Sequence, residues 1–473
     1  MRKRRFIWQQ AETDRLRMIL MVAFSDLGFI FRFFPAFLAI FYLTKKKYRT
    51  VVLLLGSLIF YALGDWKFLP LLLAAVWLNY LLAKSCLYRK QNYEGTGCKR
   101  FLITAVCMDA GILAAFKILG ALDGGILMPL GLSFYLFKMI SFQADIYRGK
   151  IETMPSLKAT AVYFLLFGQI VSGPIMRFGE GGFGQKREYS WERVEEGLQY
   201  FTIGLGTKIL LADRLAILWK DIGVIGYESI STPLAWLGAI SYSMQLYFDF
   251  WGYSLMASGI CMMLGFPFIQ NFNHPYASKS ISEFWRRWHM TLGSFFRDYV
   301  YIPLGGSRGG ELKTLRNLLA VWLLTGLWHG GSRNFIFWGL LLFIFIMLEK
   351  LWLGRIWERI PLLGHCWVLV LIPISWMFFA ITDLEQLNLY LERLFPFLGD
   401  GGLAVNPNDI QKYLGRYWKY LAAGVIWCIP VSFRSFEKYR KNPIVIILTV
   451  IIFWFSVYCV ISMGNNPFAY LKF

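Results

Sequence analysis

Two histidines stand out among the residues that could do chemistry. His289 and His329 lie in the stretch Phe284 to Gly330, which also carries Arg286, Arg287, Arg297, Arg308, Arg316 and a glycine-rich turn. His329 closes the apolar run Leu315 to Trp328 and is followed by Gly330 and Gly331. That order predicts the last turn of a membrane helix with a glycine cap. An imidazole there is placed to act as a general base, with Trp328 orienting what it meets. The alternative is a histidine satisfied by a neighbouring carbonyl at a helix end.

The spacing of Trp285, His289, Leu292 and Phe296 puts all four on one face of a continuous helix and aims His289 into an aromatic interior. It reads equally as a buried core histidine. His274, before Pro275, and His365, in Gly364-His365-Cys366, are expected at the surface or an interface. Gln245 and Asp249 are four residues apart in an apolar run and share a helical face. A carboxylate in that setting needs a partner, and Arg286, Arg287 or Arg297 is expected to supply it. Arg297-Asp298, the run Tyr299 to Gly306, and Arg308 could hold a phosphate or a pantetheine-like donor through backbone N–H groups. A turn with interfacial snorkelling is the other reading, because the spacing is not that of a phosphate loop.

Positioning these residues requires membrane helices. Of the 473 residues 57% are hydrophobic and 18% aromatic, only 16% are charged, and the mean hydropathy is +0.49. That balance is far from a soluble domain's and predicts an all-α polytopic integral membrane protein. At roughly 20 residues per span, the recurring apolar runs make about 11–13 transmembrane or re-entrant helices. Pro129, Pro174 and Pro303, each beside a glycine (Gly131, Gly173, Gly305), mark broken helices of the kind tolerated where they line a protein cavity. A central funnel is therefore expected.

The net charge of +20 would point to nucleic acid in a soluble chain. Here the basic residues sit in short connections, Arg2 to Arg5, Lys45 to Arg49, Lys84 to Arg100 and Arg434 to Lys441. This is the positive-inside pattern with anionic-lipid contact, so membrane lipids are expected partners and nucleic acid is not. The seven cysteines are scattered without a CxxC spacing, so neither a disulfide framework nor a zinc or other metal site is expected. Residues 1–20 read as a basic N-terminal extension, with Met21 a plausible alternative start, and residues 21–473 as a single membrane domain.

The fragments Phe284-Trp-Arg-Arg-Trp-His289, Phe296 to Gly306, Arg316-Asn-Leu-Leu and Gly326-Leu-Trp-His-Gly330 together resemble the signature of the membrane-bound O-acyltransferase superfamily. Within it the chain is most similar to the bacterial branch that includes the alginate O-acetyltransferase membrane subunit. Pro129 to Phe134, Ser172 to Ile175, Tyr247 to Phe250 and the ending Asn466 to Phe473 support the resemblance, which covers nearly the whole chain from Met21. Three positions depart from the pattern: Trp251, Ala380, and the run after Trp338-Gly339, which lacks a histidine. They bear on acceptor contacts more than on the core chemistry.

The resemblance implies an acyltransferase of the bacterial cell membrane, with no tightly bound cofactor. A cytoplasmic thioester, acetyl-CoA above all, would donate to a hydroxyl of an extracytoplasmic polysaccharide, or to an extracytoplasmic acetyltransferase partner. His329 would be the general base and His289 would line the tunnel and orient or stabilise the transition state. The run Tyr301 to Arg308 looks more like the polysaccharide acetyltransferases than the D-alanyl transferase of teichoic acid modification. D-alanyl or other acyl transfer from a carrier protein is the alternative within enzymes. A transporter or flippase without covalent chemistry is the alternative outside them.

Overall fold

The computed structural model describes residues 23–93, 97–123, 128–183, 187–330, 332–398 and 405–463; the N-terminal extension and the chain end lie outside them. Every regular element among the described residues is helical. Among the described residues, five stretches are long and apolar enough to cross a bilayer: Lys46–Asn92, Cys98–Gly120, Arg333–Arg359, Pro361–Ala380 and Pro443–Ser462. The first is two helices, Arg49–Asp65 and Leu69–Asn92. Other apolar helices, such as Phe34–Leu43 and Leu157–Leu165, are too short to span alone. The architecture is all-α and polytopic. All three proline–glycine breaks interrupt helices: residues 128–131, 171–175 and 302–310 are turns or irregular chain.

The chain groups into two compact units that alternate along the sequence. One comprises the described residues through Phe201, Tyr253–Ile269 and residues 460–463; the other is the described residues of Thr202–Gly252 and Gln270–Cys459. The Thr232–Met263 helix contributes to both.

The first unit handles its intramembrane polar groups by pairing them. Asn79 donates to Asp109 Oδ1 at 2.9 Å, and Gln143 donates to Asn79 Oδ1 at 3.0 Å, which joins three helices, Leu69–Asn92, Cys98–Asp123 and Leu132–Tyr147. Lys138 donates to Gln169 Oε1 at 2.6 Å and to the Tyr163 carbonyl at 3.0 Å. Such bonds replace the water that the bilayer excludes. Cys86 and Cys98 are disulfide-bonded, a pairing at odds with the expectation of no disulfide framework. The 12-residue separation carries no sequence signature, and the pairing follows from one helix ending and the next beginning side by side.

The second unit holds both central histidines. Five tryptophans from different elements meet there: Trp285 lies against Trp322 at 5.2 Å and Trp338 at 5.5 Å between ring centroids, Trp288 against Trp376 at 5.1 Å, and Trp338 against Trp376 at 5.7 Å. Large rings bury much apolar area and fix mutual geometry. The cluster ties the chain around His289 to the helices Glu311–His329, Arg333–Leu348 and Pro361–Ala380.

Candidate active site

His329 is the last residue of the Glu311–His329 helix, as expected. The cap is not the left-handed glycine that the sequence predicts: Gly330 is extended, with φ −179°, and its N–H donates to the Gly326 carbonyl at 3.2 Å. Glycine is needed there for room, since a Cβ would strike the Phe335 ring. The imidazole is buried among Trp328, Trp338, Phe379 and Phe335, with centroid separations of 4.4, 5.1, 5.1 and 6.5 Å. Trp338 and Phe379 stand nearly perpendicular to it. Phe335 and Trp338 come from the Arg333–Leu348 helix and Phe379 from Pro361–Ala380. Asn334 locks those two together by donating to the Phe378 carbonyl at 2.9 Å.

His289 is not inside a helix, which corrects the continuous-face reading. Ile281–Arg287 ends, Trp288 is extended, His289 is left-handed with φ 44° and ψ 53°, and Met290–Phe296 begins. The aromatic period continued through the break because both helices bury aromatic residues. Left-handed backbone at a non-glycine residue costs on the order of 1–3 kcal/mol and persists only where surroundings over-determine it. Residues 271–273 do so here. Met290 N–H donates to the Asn271 carbonyl at 2.8 Å, Asn273 N–H donates to the Arg287 carbonyl at 2.9 Å, and His289 Nδ1 lies 3.1 Å from Asn271 Oδ1. The only other described non-glycine residue with positive φ is His274.

His289 is 3% exposed, and its ring stands nearly perpendicular to that of Phe250, 4.6 Å away between centroids. Trp328 flanks both imidazoles, at 6.5 Å from His289 and 4.4 Å from His329. His289 Nε2 is buried with no hydrogen-bond partner among the described residues. It lies outside the long apolar helices, and burial pushes its pKa down to about 3, so it is neutral at physiological pH.

A buried glutamate sets the approach to His289. Glu349 accepts from the N–H of Ile281, from Ser282 N–H at 2.9 Å, from Ser282 Oγ at 2.8 Å and from Trp367 Nε1 at 3.1 Å. It thereby satisfies the start of the Ile281–Arg287 helix.

The other expected site residues are placed as follows. Asp249 pairs with Lys208, Nζ to Oδ1 3.6 Å, where an arginine was expected. Lys208 also binds Asp213 at 2.6 Å. Sequence reading passed over Lys208 because it lies in the apolar segment Thr207–Ala212, where a lone lysine should itself have been a signal. Gln245 shares the helix with Asp249, and its Oε1 is buried and unpartnered among the described residues. Arg286 is exposed. Arg287 binds Glu283 at 2.6 Å, and Arg297 binds its neighbour Asp298 at 2.6 Å. Burial raises the Glu283 carboxyl, but the Lys279 N–H and Arg287 outweigh it and hold it below its usual pKa.

Arg308 is exposed in a turn where Gly305, Gly306, Gly309 and Gly310 all have positive φ, so this backbone favours glycine. Asn317 fixes the turn by donating to the Gly306 carbonyl at 2.9 Å. His274 is buried against Trp251 and Phe433, which corrects its surface assignment, and His365 Nδ1 lies 2.9 Å from the Ser278 carbonyl. Asn271, Glu349 and the aromatic box were not legible in the sequence.

Residues 58–390 match the family model described as MBOAT, membrane-bound O-acyltransferase family. The chain is 36% identical over 406 residues to the probable alginate O-acetylase of Pseudomonas syringae pv. tomato, covering 81% of this chain and 77% of that one. It is 31% identical over 419 residues to the peptidoglycan O-acetyltransferase of Helicobacter pylori, covering 78% and 79%. Similarity to the teichoic acid D-alanyltransferase of Bacillus subtilis is 30% over 226 residues, 45% of this chain and 56% of that one. The chain is a multi-pass membrane O-acyltransferase, and it belongs to the membrane-bound O-acyltransferase family.

Proposed function

We propose that the chain moves an acetyl group from cytoplasmic acetyl-CoA to a hydroxyl of an extracytoplasmic polysaccharide, or to an extracytoplasmic partner that modifies the polymer. The observation that carries this reading is the pair of buried imidazoles that share Trp328 as a neighbour. His329 takes the hydroxyl proton, the oxygen forms a bond to the thioester carbonyl carbon, and the carbon–sulfur bond breaks. The proton held by His329 then goes to the departing thiolate. The aromatic box keeps water from competing for the acyl group. Similarity to proteins named for alginate and peptidoglycan O-acetylation, each over about four-fifths of the chain, supports acetyl as the group and a polymer as the acceptor.

D-alanyl transfer from a carrier protein is the second reading, supported by the shorter match to the teichoic acid enzyme. Proteoliposomes given labelled acetyl-CoA on one side and polymer on the other separate the two. Label appearing on polymer, or on an added extracytoplasmic partner, supports the proposal. Transfer from a charged carrier protein with none from acetyl-CoA overturns it.

A further inference from the structure

We infer that Asn271 is a positioning residue that fixes the tautomer of His289 and so makes Nε2 a hydrogen-bond acceptor for a second, non-reacting hydroxyl of the acceptor. Asn271 is 3% exposed, and its Oδ1 takes three bonds: from Thr291 N–H at 3.3 Å, from Thr291 Oγ1 at 2.9 Å, and from His289 Nδ1 at 3.1 Å. A backbone N–H can only donate, so the Thr291 amide identifies the Asn271 atom facing it as the carbonyl oxygen and not the amide nitrogen. The oxygen in turn requires Nδ1 of His289 to carry the proton. Nε2 then holds the lone pair, and it is this atom that is buried with no partner among the described residues.

The left-handed turn serves the same end, since Asn271 also accepts the Met290 N–H through its main chain at 2.8 Å and so holds the backbone and ring of His289 from one residue. A neutral imidazole in this tautomer accepts at Nε2 and cannot donate to an oxyanion there. His289 therefore orients the acceptor through a hydroxyl beside the attacking one, whose own proton goes to His329, and does not stabilise the tetrahedral oxyanion, which narrows the role expected from the sequence. This rests on the acyl-transfer site proposed above.

The chain has four histidines, so ¹⁵N-histidine NMR of the whole protein in lipid nanodiscs is tractable, with His289 assigned by loss of its signals in His289→Asn. The expected result is a protonated Nδ1 and an unprotonated Nε2 for His289 near neutral pH. In Asn271→Leu the proton moves to Nε2 and kcat for acetyl transfer falls on the order of 10²- to 10⁴-fold, as for other catalytic imidazoles held in the wrong tautomer, with the KM for acetyl-CoA unchanged. Asn271→Asp, which keeps the acceptor oxygen, restores the Nδ1–H form and part of kcat. A protonated Nε2 in the unmutated protein overturns the inference, as does full kcat in Asn271→Leu. The NMR arm needs no turnover, so a failure of acetyl transfer itself would count against the proposed function and leave the tautomer decided.

Discussion

Lys208 Nζ lies 3.6 Å from Asp249 Oδ1, with both side chains almost fully buried. The carboxylate that the sequence assigns to an arginine is thus held by a lysine inside an apolar segment, and Asp213 completes the cluster at 2.6 Å.

Removing the shared cation should cost more than removing one anion. Lys208→Met leaves two carboxylates facing each other, and breaking a buried pair this way costs about 3–5 kcal/mol. Asp249→Asn leaves Lys208 with Asp213 and should cost less. Thermal unfolding in detergent checks the order, and equal Tm losses would contradict it.

Glu349→Ala should destabilise the protein by about 2–4 kcal/mol, because buried donors on Ile281, Ser282 and Trp367 lose their shared acceptor. Glu349→Gln keeps one acceptor oxygen and should fall between. Since the capped helix leads directly to His289, kcat should fall with Tm. An unchanged Tm in Glu349→Ala would refute the capping role.

Helix packing behind His329 depends on two glycines. A Cβ at Gly326 would lie 2.5 Å from the Phe335 carbonyl oxygen, and one at Gly339 would lie 2.5 Å from the Trp322 carbonyl oxygen. The helices Glu311–His329 and Arg333–Leu348 therefore touch backbone to backbone, as small residues permit. Gly339→Ala should cost about 1–3 kcal/mol through overpacking and shift the Trp338 wall of the aromatic box. Tryptophan fluorescence and Tm report both effects; wild-type values for each would show that the contact is slack.

Acid should weaken the fold through His289 and His274. Burial lowers both pKa values, and Arg434 lowers that of His274 further. The unfolded chain then binds protons that the folded chain refuses, so stability is complete above about pH 6.5 and is lost as pH falls toward about 3. The drop in Tm between pH 7 and pH 5 should be smaller in His289→Asn than in wild type. The same drop in both would contradict the buried, neutral imidazole.

Much of the fold was legible because hydrophobic run length and proline–glycine breaks report membrane helices directly. His329 at a helix end followed from its neighbours in sequence. Contacts across the fold were not legible. The break at His289 depends on Asn271, 18 residues earlier, and the burial of His274 depends on Phe433. The partner of Asp249 was missed for a related reason: Lys208 and the arginines all lie tens of residues from it in the sequence, and only tertiary packing decides among them. Gly330 was identified correctly as special but for backbone freedom, whereas the Phe335 ring is what demands the missing side chain.

The proposed transfer depends on His329 as the base. The most direct measurement is single-turnover acetyl transfer from labelled acetyl-CoA by His329→Ala in proteoliposomes, beside wild type, with equal Tm and equal acetyl-CoA binding confirmed. The expected result is a fall in rate of about 10²- to 10⁴-fold, the usual contribution of a general base. Transfer by His329→Ala at the wild-type rate would contradict it.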